Sequence, residues 1–366
     1  MEISIIIPSR NEGANVEVIV ARIERALTPS SNYEILFVDD SDDDTPARLE
    51  QLTHNHPQVR FIHRTNAIGL GTAILEGFQM ARGDWFIVMD ADMQHPPESL
   101  PDLIQHIKLN QAEIIIPSRF IAGGHDGGLN VWRKLVSWSA RILARVAIRK
   151  VLPIKDPTSG YFAVRRDTAF SRPLNPIGWK ILLEILARSD YERAIEIPYS
   201  FEARDIGSSK FGVKEQWNYL VHLIRLVKSS EEDMRFWNFA AVGLSGVVVN
   251  SVVYTVFVKL GVSVVLSFAL ASAIAMINNF LWNNFLTWKH TKTDRLSYRV
   301  LKFYIVSISG LCISSLTVSM VHGLLHWHYT VSGLAGIALA TIWNFTLHNK
   351  WTFGKSPAMK EQQLHG

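Results

Sequence analysis

Cysteine is almost missing from this chain: of 366 residues one is a cysteine, Cys312, and it stands in an apolar run. No intrachain disulfide can form, and the cysteine usage does not call for an oxidising compartment. Acidic side chains are scarce in a whole region. From residue 236 onward there are 2 Asp/Glu against 9 Lys/Arg, whereas residues 1–235 hold 31 against 28. The net charge of +4 thus hides an acidic front part and a basic rear part. The rear part excludes a purely soluble enzyme, the front part excludes a wholly membrane-embedded protein, and 48% hydrophobic content excludes a disordered chain. A signal-peptide core is wanting too, because the apolar run 3–7 is short and is soon interrupted by Pro8 and Arg10. The front part is expected to stay in the cytosol.

Three stretches of the rear part, 236–258, 260–288 and 303–349, contain no Asp, Glu, Lys or Arg. A helix crosses a bilayer with about 20 apolar residues, so the last stretch is too long for one crossing. The polar run 326–329 makes a turn inside it. Four spans are expected, at 236–258, 263–286, 301–324 and 330–350. Lys289, Lys292, Arg295, Arg299 and Lys302 lie between the second and third, and Lys350, Lys355 and Lys360 follow the fourth. The other connections hold Lys259 and histidines, and the positive-inside bias places both termini in the cytoplasm. The spans also repeat. Phe239, Val242, Ser245 and Gly246 return as Phe303, Val306, Ser309 and Gly310, and Asn284, Thr287 and Trp288 as Asn349, Thr352 and Phe353. Two hairpins of one orientation follow, with the end residues serving either as interfacial belts or as a shared motif. Asn278, Asn279, Asn283, Asn284 and Asn344 are expected to join helices by hydrogen bonds. Residues 235–355 resemble the GtrA-like membrane domain, a four-helix module found with polyprenyl-phosphate sugar enzymes.

In the front part, β-branched runs at 3–7, 33–38 and 85–89 alternate with helical patterns such as 15–27 and 70–80. Such alternation predicts a mostly parallel sheet covered on both faces, with ligands bound beyond the carboxyl ends of its strands. Each run ends in polar residues, at Ser9-Arg10, Asp39-Asp40 and Asp90. Asp90-Ala91-Asp92 can turn two carboxylates toward one hard cation, with the Gln94 amide oxygen as a third ligand. Asp39 to Asp44 hold five carboxylates in six positions but lack the glycine and terminal glutamate of an EF-hand. Asp44 or Thr45 before Pro46 suits a helix start. Two segments are basic and amphipathic. In 130–152, Arg133, Ser137, Arg141, Arg145 and Arg149 recur every fourth residue, and in 214–228 an apolar stripe of Trp217, Leu220, Val221, Ile224 and Val227 runs beside Lys214, Arg225 and Lys228. Each either packs on the sheet or lies in the headgroup layer.

Together these motifs resemble glycosyltransferase family 2, and within it the dolichyl/polyprenyl phosphate mannose synthases. The resemblance runs through Pro8-Ser9-Arg10-Asn11-Glu12, Val38-Asp39-Asp40-Ser41, Arg64 to Gly71, Asp90 to His95 and Pro117-Ser118-Arg119. It continues through Asp156 to Tyr161, Lys180 to Glu184 and Gly207 to Lys210. Arg10 departs from it, standing where the family usually has tyrosine. It implies a GT-A (Rossmann-like) α/β catalytic domain at 1–205 and an interface helix and linker at 206–234. The membrane domain would be 235–355 and the tail 356–366.

By the same resemblance Pro8, Arg10, Glu12, Val38 and Asp40 line the nucleotide, and Asp90, Ala91 and Asp92 the diphosphate. Asp90, Asp92 and Gln94 hold Mg2+ or Mn2+. Arg119, Arg204 and Lys210 meet the donor phosphates, and Arg119, Arg133 and Ser137 meet the acceptor phosphate. Asp92, Arg119 and Arg133 are the residues expected to carry catalysis, while Asp156 before Pro157 also reads as a turn former. The implied reaction is inverting transfer of mannose from GDP-mannose to dolichyl or polyprenyl phosphate at the cytoplasmic face of the lipid bilayer, with no nucleic acid involved. Two alternatives stand beside it: a polyprenyl phosphate glucosyltransferase using UDP-glucose, and a protein that binds or translocates a lipid-linked sugar.

Overall fold

A computed structural model describes residues 2–27, 32–65, 69–127, 131–202, 213–289 and 295–353, without the side chains of 131–133 and 213–214. The chain forms two compact units, Met1–Ser229 and Ser230–Gly366.

The first unit is built on strands β1 (Ile3–Ser9), β2 (Tyr33–Asp39), β3 (Val59–His63), β4 (Trp85–Val88), β5 (Ile114–Ser118), β6 (Phe162–Arg165) and β7 (Ala194–Pro198). They form one sheet in the order β3-β2-β1-β4-β6-β5-β7. Every pairing is parallel except those of β6, which runs antiparallel to both β4 and β5. Helices α1 (Gly13–Ala26), α2 (Thr45–Asn55), α3 (Leu70–Met80), α4 (Leu100–Lys108), α5 (Val131–Ala147), α6 (Arg166–Phe170), α7 (Ile181–Arg188) and α8 (Val213–Ser229) complete the unit. All of β1 is buried, because alternate residues feed opposite faces: Ile3, Ile5 and Ile7 join one apolar core, and Ile6 joins the other with Leu36, Val38 and Phe86. A strand apolar on both faces has no solvent side, which is why the run at 3–7 carries no alternation.

Among the described residues the second unit has four helices long and apolar enough to cross a membrane: α9 (Glu231–Lys259), α10 (Val264–Trp282), α11 (Leu296–Gly323) and α12 (Tyr329–Leu347). Helices α10 and α12 each run on into a π-helical turn, Asn283–Thr287 and His348–Thr352. The repeat is physical. Gly246 on α9 leaves room for Asn279 on α10, and Gly310 on α11 leaves the same room for Asn344 on α12, so that a Cβ at either glycine would collide with the amide. Asn278 donates to the Ser245 hydroxyl across helices (3.3 Å). The two hairpins join at one end through aromatic rings. Trp288 of the first hairpin stacks on Phe353 of the second with ring centroids 4.5 Å apart, and Phe280 of the first meets Phe303 of the second edge-on at 5.4 Å.

Candidate active site

Because β4 and β5 both run antiparallel to β6, the carboxyl ends of β1, β2, β4 and β5 share one sheet edge. The polar residues gather there. Asp39, fully buried, accepts hydrogen bonds from the hydroxyls of Ser9 (2.9 Å) and Ser41 (2.5 Å), and its other oxygen meets His63 Nδ1 at 2.8 Å. It braces the ends of β1, β2 and β3 instead of facing outward. Asp40 is held by Arg64, whose Nε and Nη2 donate to its two oxygens at 2.6 and 2.5 Å. The acid-rich loop that follows starts α2 where expected, with Asp44 as its N-cap residue, although the side chain that accepts the Thr45 backbone N–H is that of Asp43 (2.9 Å). Glu12 accepts from the Asn15 amide (2.7 Å), while Arg10 is exposed at the end of β1.

After β4 the chain turns sharply, with Met93 at φ 62°. The turn is fastened from within: Asp92 Oδ1 accepts the Gln94 N–H (3.1 Å), and the Asp90 N–H donates to His95 Nδ1 (2.9 Å). The His95 ring stacks on Tyr161 at 5.1 Å, and burial pushes its pKa down to about 4, so it is a neutral acceptor at physiological pH. Gly160 passes beside this turn, and a Cβ there would lie in ordinary contact, 3.4 Å, with the Asp90 carboxylate and the His95 ring. Asp92 is buried and Asp90 half-buried. Among the described residues no three His, Cys, Asp or Glu side chains form a metal cage. Two carboxylates and the Gln94 amide nevertheless offer the hard oxygen donors that suit Mg2+ or Mn2+, which keep positions for water and phosphate. The donor set fits.

Arg119, just beyond β5, is fixed from three sides. Its Nε and Nη2 face Asp156 Oδ2 at 3.4 Å, and its guanidinium lies 4.7 Å from the Phe201 ring centre and 5.1 Å from that of Phe120. On Phe120 also rests Arg141 of α5, 3.3 Å from the ring centre. Asp156 is fully buried, and its other oxygen, Oδ1, has no hydrogen-bond partner among the described residues. The turn-forming Asp156-Pro157 pair therefore also supplies a partner to Arg119. Lys180 is buried beside this group and donates to the Thr158 carbonyl. Burial pushes its ammonium pKa down to about 7, opposed by the charges of Asp156 and Asp90 and aided by Arg119.

The structure thus brings Pro8, Val38, Asp40, Asp90, Ala91, Asp92, Gln94 and Arg119 to one edge of the sheet. Ser137 is half-buried on α5, one turn before Arg141. The side chain of Arg133 and all of Arg204 and Lys210 lie outside the described residues. Reading the sequence missed the pairing of Arg64 with Asp40 and the role of His95. Neither leaves a local signal, since Arg64 reaches Asp40 across 24 residues and an imidazole in a loop usually faces solvent.

Residues 4–171 match glycosyl transferase family 2, and residues 238–353 match the GtrA/DPMS transmembrane domain. A dolichol-phosphate mannosyltransferase of Pyrococcus furiosus is 41% identical over 341 residues, covering 93% of this chain and 96% of that protein. A dolichol-phosphate mannosyltransferase of Saccharomyces cerevisiae is 34% identical, covering 62% of this chain and 87% of its own length. An undecaprenyl-phosphate mannosyltransferase of Micrococcus luteus is 32% identical, covering 57% and 87%. With a catalytic sheet of this topology and four membrane-length helices, the chain belongs to glycosyl transferase family 2 as an integral membrane member of the dolichol-phosphate mannosyltransferase group that carries a GtrA/DPMS transmembrane domain.

Proposed function

We propose that the protein transfers mannose from GDP-mannose to dolichyl or another polyprenyl monophosphate, with inversion, giving a β-linked lipid phosphate mannose at the cytoplasmic membrane face. The observation that carries this is the 41% identity over nearly the full length of a dolichol-phosphate mannosyltransferase. Both lipid-specific relatives, dolichol and undecaprenyl, are named for the same sugar, which favours mannose over glucose.

The acceptor explains the site's economy. A phosphate monoester has its second pKa near ~6 and is largely dianionic at neutral pH, so it attacks without a general base. The bond formed joins an acceptor oxygen to the anomeric carbon, and the bond broken releases the nucleoside diphosphate. What remains is to hold two anions together in line and to stabilise the leaving charge. Asp90, Asp92 and Gln94 are the residues that would hold Mg2+ or Mn2+, which when bound would neutralise diphosphate charge. Pro8, Arg10, Glu12, Val38 and Asp40 line the nucleotide side in this reading, with Arg204 and Lys210 on the donor phosphates. Arg119 is held in one orientation by Asp156 and two rings, so its charge is in place before either anion arrives. Arg133 and Ser137 on α5 take the acceptor phosphate.

A soluble site needs a route to its lipid. On α5 the exposed residues Leu135, Trp138, Ile142 and Val146 recur at helical spacing, and on α8 so do Trp217, Leu220, Val221 and Ile224. Apolar faces of this kind beside basic residues suit the headgroup layer. The test uses the full chain in detergent, a polyprenyl phosphate, and radiolabelled GDP-mannose or UDP-glucose in separate reactions with extraction into organic solvent. Label should enter the organic phase from GDP-mannose. Label from UDP-glucose alone would overturn the donor, and label from neither would overturn the reaction.

A further inference from the structure

Arg119 and Asp156 come from distant parts of the chain, and two neighbouring strands bring them together. Arg119 follows β5 directly, and β7 pairs with β5 so that Glu196 stands opposite Ile116, three residues before the arginine. The Glu196 carboxylate reaches the loop that carries Asp156. Its Oε2 accepts the Lys155 N–H at 2.8 Å and its Oε1 the Asp156 N–H at 2.9 Å. Arg119 is thus fixed to the sheet through its own chain, and Asp156 is fixed to it through Glu196.

The hold is on the backbone and comes from more than one side. Bonds from successive N–H groups to one carboxylate are charge-assisted, and they fix the peptides on either side of Lys155. The Lys155 carbonyl accepts from Arg141 Nη1 at 3.4 Å, and the same guanidinium rests on Phe120, the residue after Arg119. Pro157 confines the Asp156 backbone to extended angles, and the Asp156 carbonyl accepts the Ser159 N–H at 3.3 Å. With its backbone so held, the buried Asp156 side chain keeps one direction. Its Oδ2 meets Nε and Nη2 of Arg119 at 3.4 Å, near the outer limit of a hydrogen bond. A few tenths of an ångström in the loop would release the guanidinium.

We propose that Glu196 is a positioning residue for the transfer reaction: by holding the Lys155–Asp156 turn it lets Asp156 aim the Arg119 guanidinium at the phosphates. The inference rests on the reading of Arg119 as a phosphate-binding residue, and Glu196 acts through Asp156 alone. A charge aimed in advance needs no rearrangement when an anion arrives. Glutamine at 196 keeps the shape but has one acceptor oxygen, so one of the two N–H groups would face an NH2 group.

The experiment is a double-mutant cycle in the full chain in detergent, assayed with whichever nucleotide sugar the wild-type chain uses. Glu196→Gln should lower kcat about tenfold, as a small misplacement of a charged group does. In an Asp156→Asn background the same substitution should change kcat by less than about twofold. A residue that merely supports the fold would lower kcat by the same factor in both backgrounds, and that result would overturn the proposal. A second arm needs no substrate: phenylglyoxal labelling of arginines, located by mass spectrometry. Arg119 should label several-fold faster in Glu196→Gln than in wild type, while Arg22, paired with Glu98 at 2.6 Å, should label at an unchanged rate. Unchanged labelling of Arg119, or equal acceleration at both arginines, would overturn the proposal. Glu196→Asp keeps both oxygens on a shorter arm, should fall between the two in each arm, and serves where Glu196→Gln does not fold. Failure of the wild-type chain to transfer mannose would sink the proposed reaction and leave the labelling arm to decide on Glu196.

Discussion

Single side chains divide into those that face the sheet edge and those that hold them there. Asp92→Asn tests the first kind cleanly. Asparagine keeps the oxygen that accepts the Gln94 N–H, so the turn survives while a carboxylate charge is lost. Transfer should fall by about a hundredfold or more with an unchanged melting temperature, read by organic extraction and a thermal scan with added Mg2+ or Mn2+. Lys180 tests the second kind through pH. Its folded pKa of about 7 lies below the ordinary 10.5, so between those values the unfolded chain binds more protons than the folded one. Stability from this group therefore rises as pH increases from about 7, and falls toward its minimum below it. Relative to Lys180→Met, the wild-type chain should gain melting temperature between pH 7 and pH 9, and a constant difference would remove Lys180 from the account. The paired aspartates were legible in the sequence because a short apolar run must end somewhere, and its end is where a parallel sheet binds ligands. The Arg119–Asp156 pair was not, since it joins residues 37 positions apart through a loop whose path no local pattern dictates.

At the scale of elements, α8 shows how one helix carries two apolar faces, one buried and one exposed. Tyr219, Leu223 and Leu226 are buried in the catalytic core, and the fully buried His222 lies 3.2 Å from Glu184 of α7. Trp217, Leu220, Val221 and Ile224 are open. The sequence pattern revealed the second stripe, and the structure shows that the helix packs through its other face and leaves this stripe exposed. Substitutions should separate them. Leu223→Ala empties a packed site and should cost about 2–4 kcal/mol of stability, measured by denaturant unfolding of the catalytic unit's signal in the full chain. Ile224→Glu, on the open face, should leave stability nearly unchanged and raise the KM for a long-chain polyprenyl phosphate several-fold, with the KM for GDP-mannose unaltered. A parallel rise in both constants would place the open face outside acceptor recognition.

Across the whole molecule, two units meet different solvents with different rules. In the catalytic unit burial follows the sheet, and apolar strands alone identify the core. In the membrane unit lipid is as apolar as any side chain, so composition cannot say which residues face inward, and the spans were legible while their packing was not. Only the repeat gave a hint, and the structure explains it: Asn284 and Asn349, Thr287 and Thr352, Trp288 and Phe353 sit in and just after the two π-helical turns that bring the hairpins together. Trp288 is the centre of this junction. It is 1% exposed, stacks on Phe353 with planes 7° apart, and its indole N–H donates to Asn349 of the other hairpin at 3.2 Å. Trp288→Phe keeps a ring and loses the donor, whereas Trp288→Ala loses both and leaves a cavity beside Phe353. If the junction holds the hairpins together, Trp288→Ala should destabilise by about 3–5 kcal/mol and Trp288→Phe by about 1 kcal/mol, read by thermal melting of the full chain in detergent. Equal losses would mean that the hydrogen bond to Asn349, not the stacked rings, unites the repeats, and no loss would mean that the other rings between the hairpins, Phe236 against Phe345 and Phe280 against Phe303, hold them together.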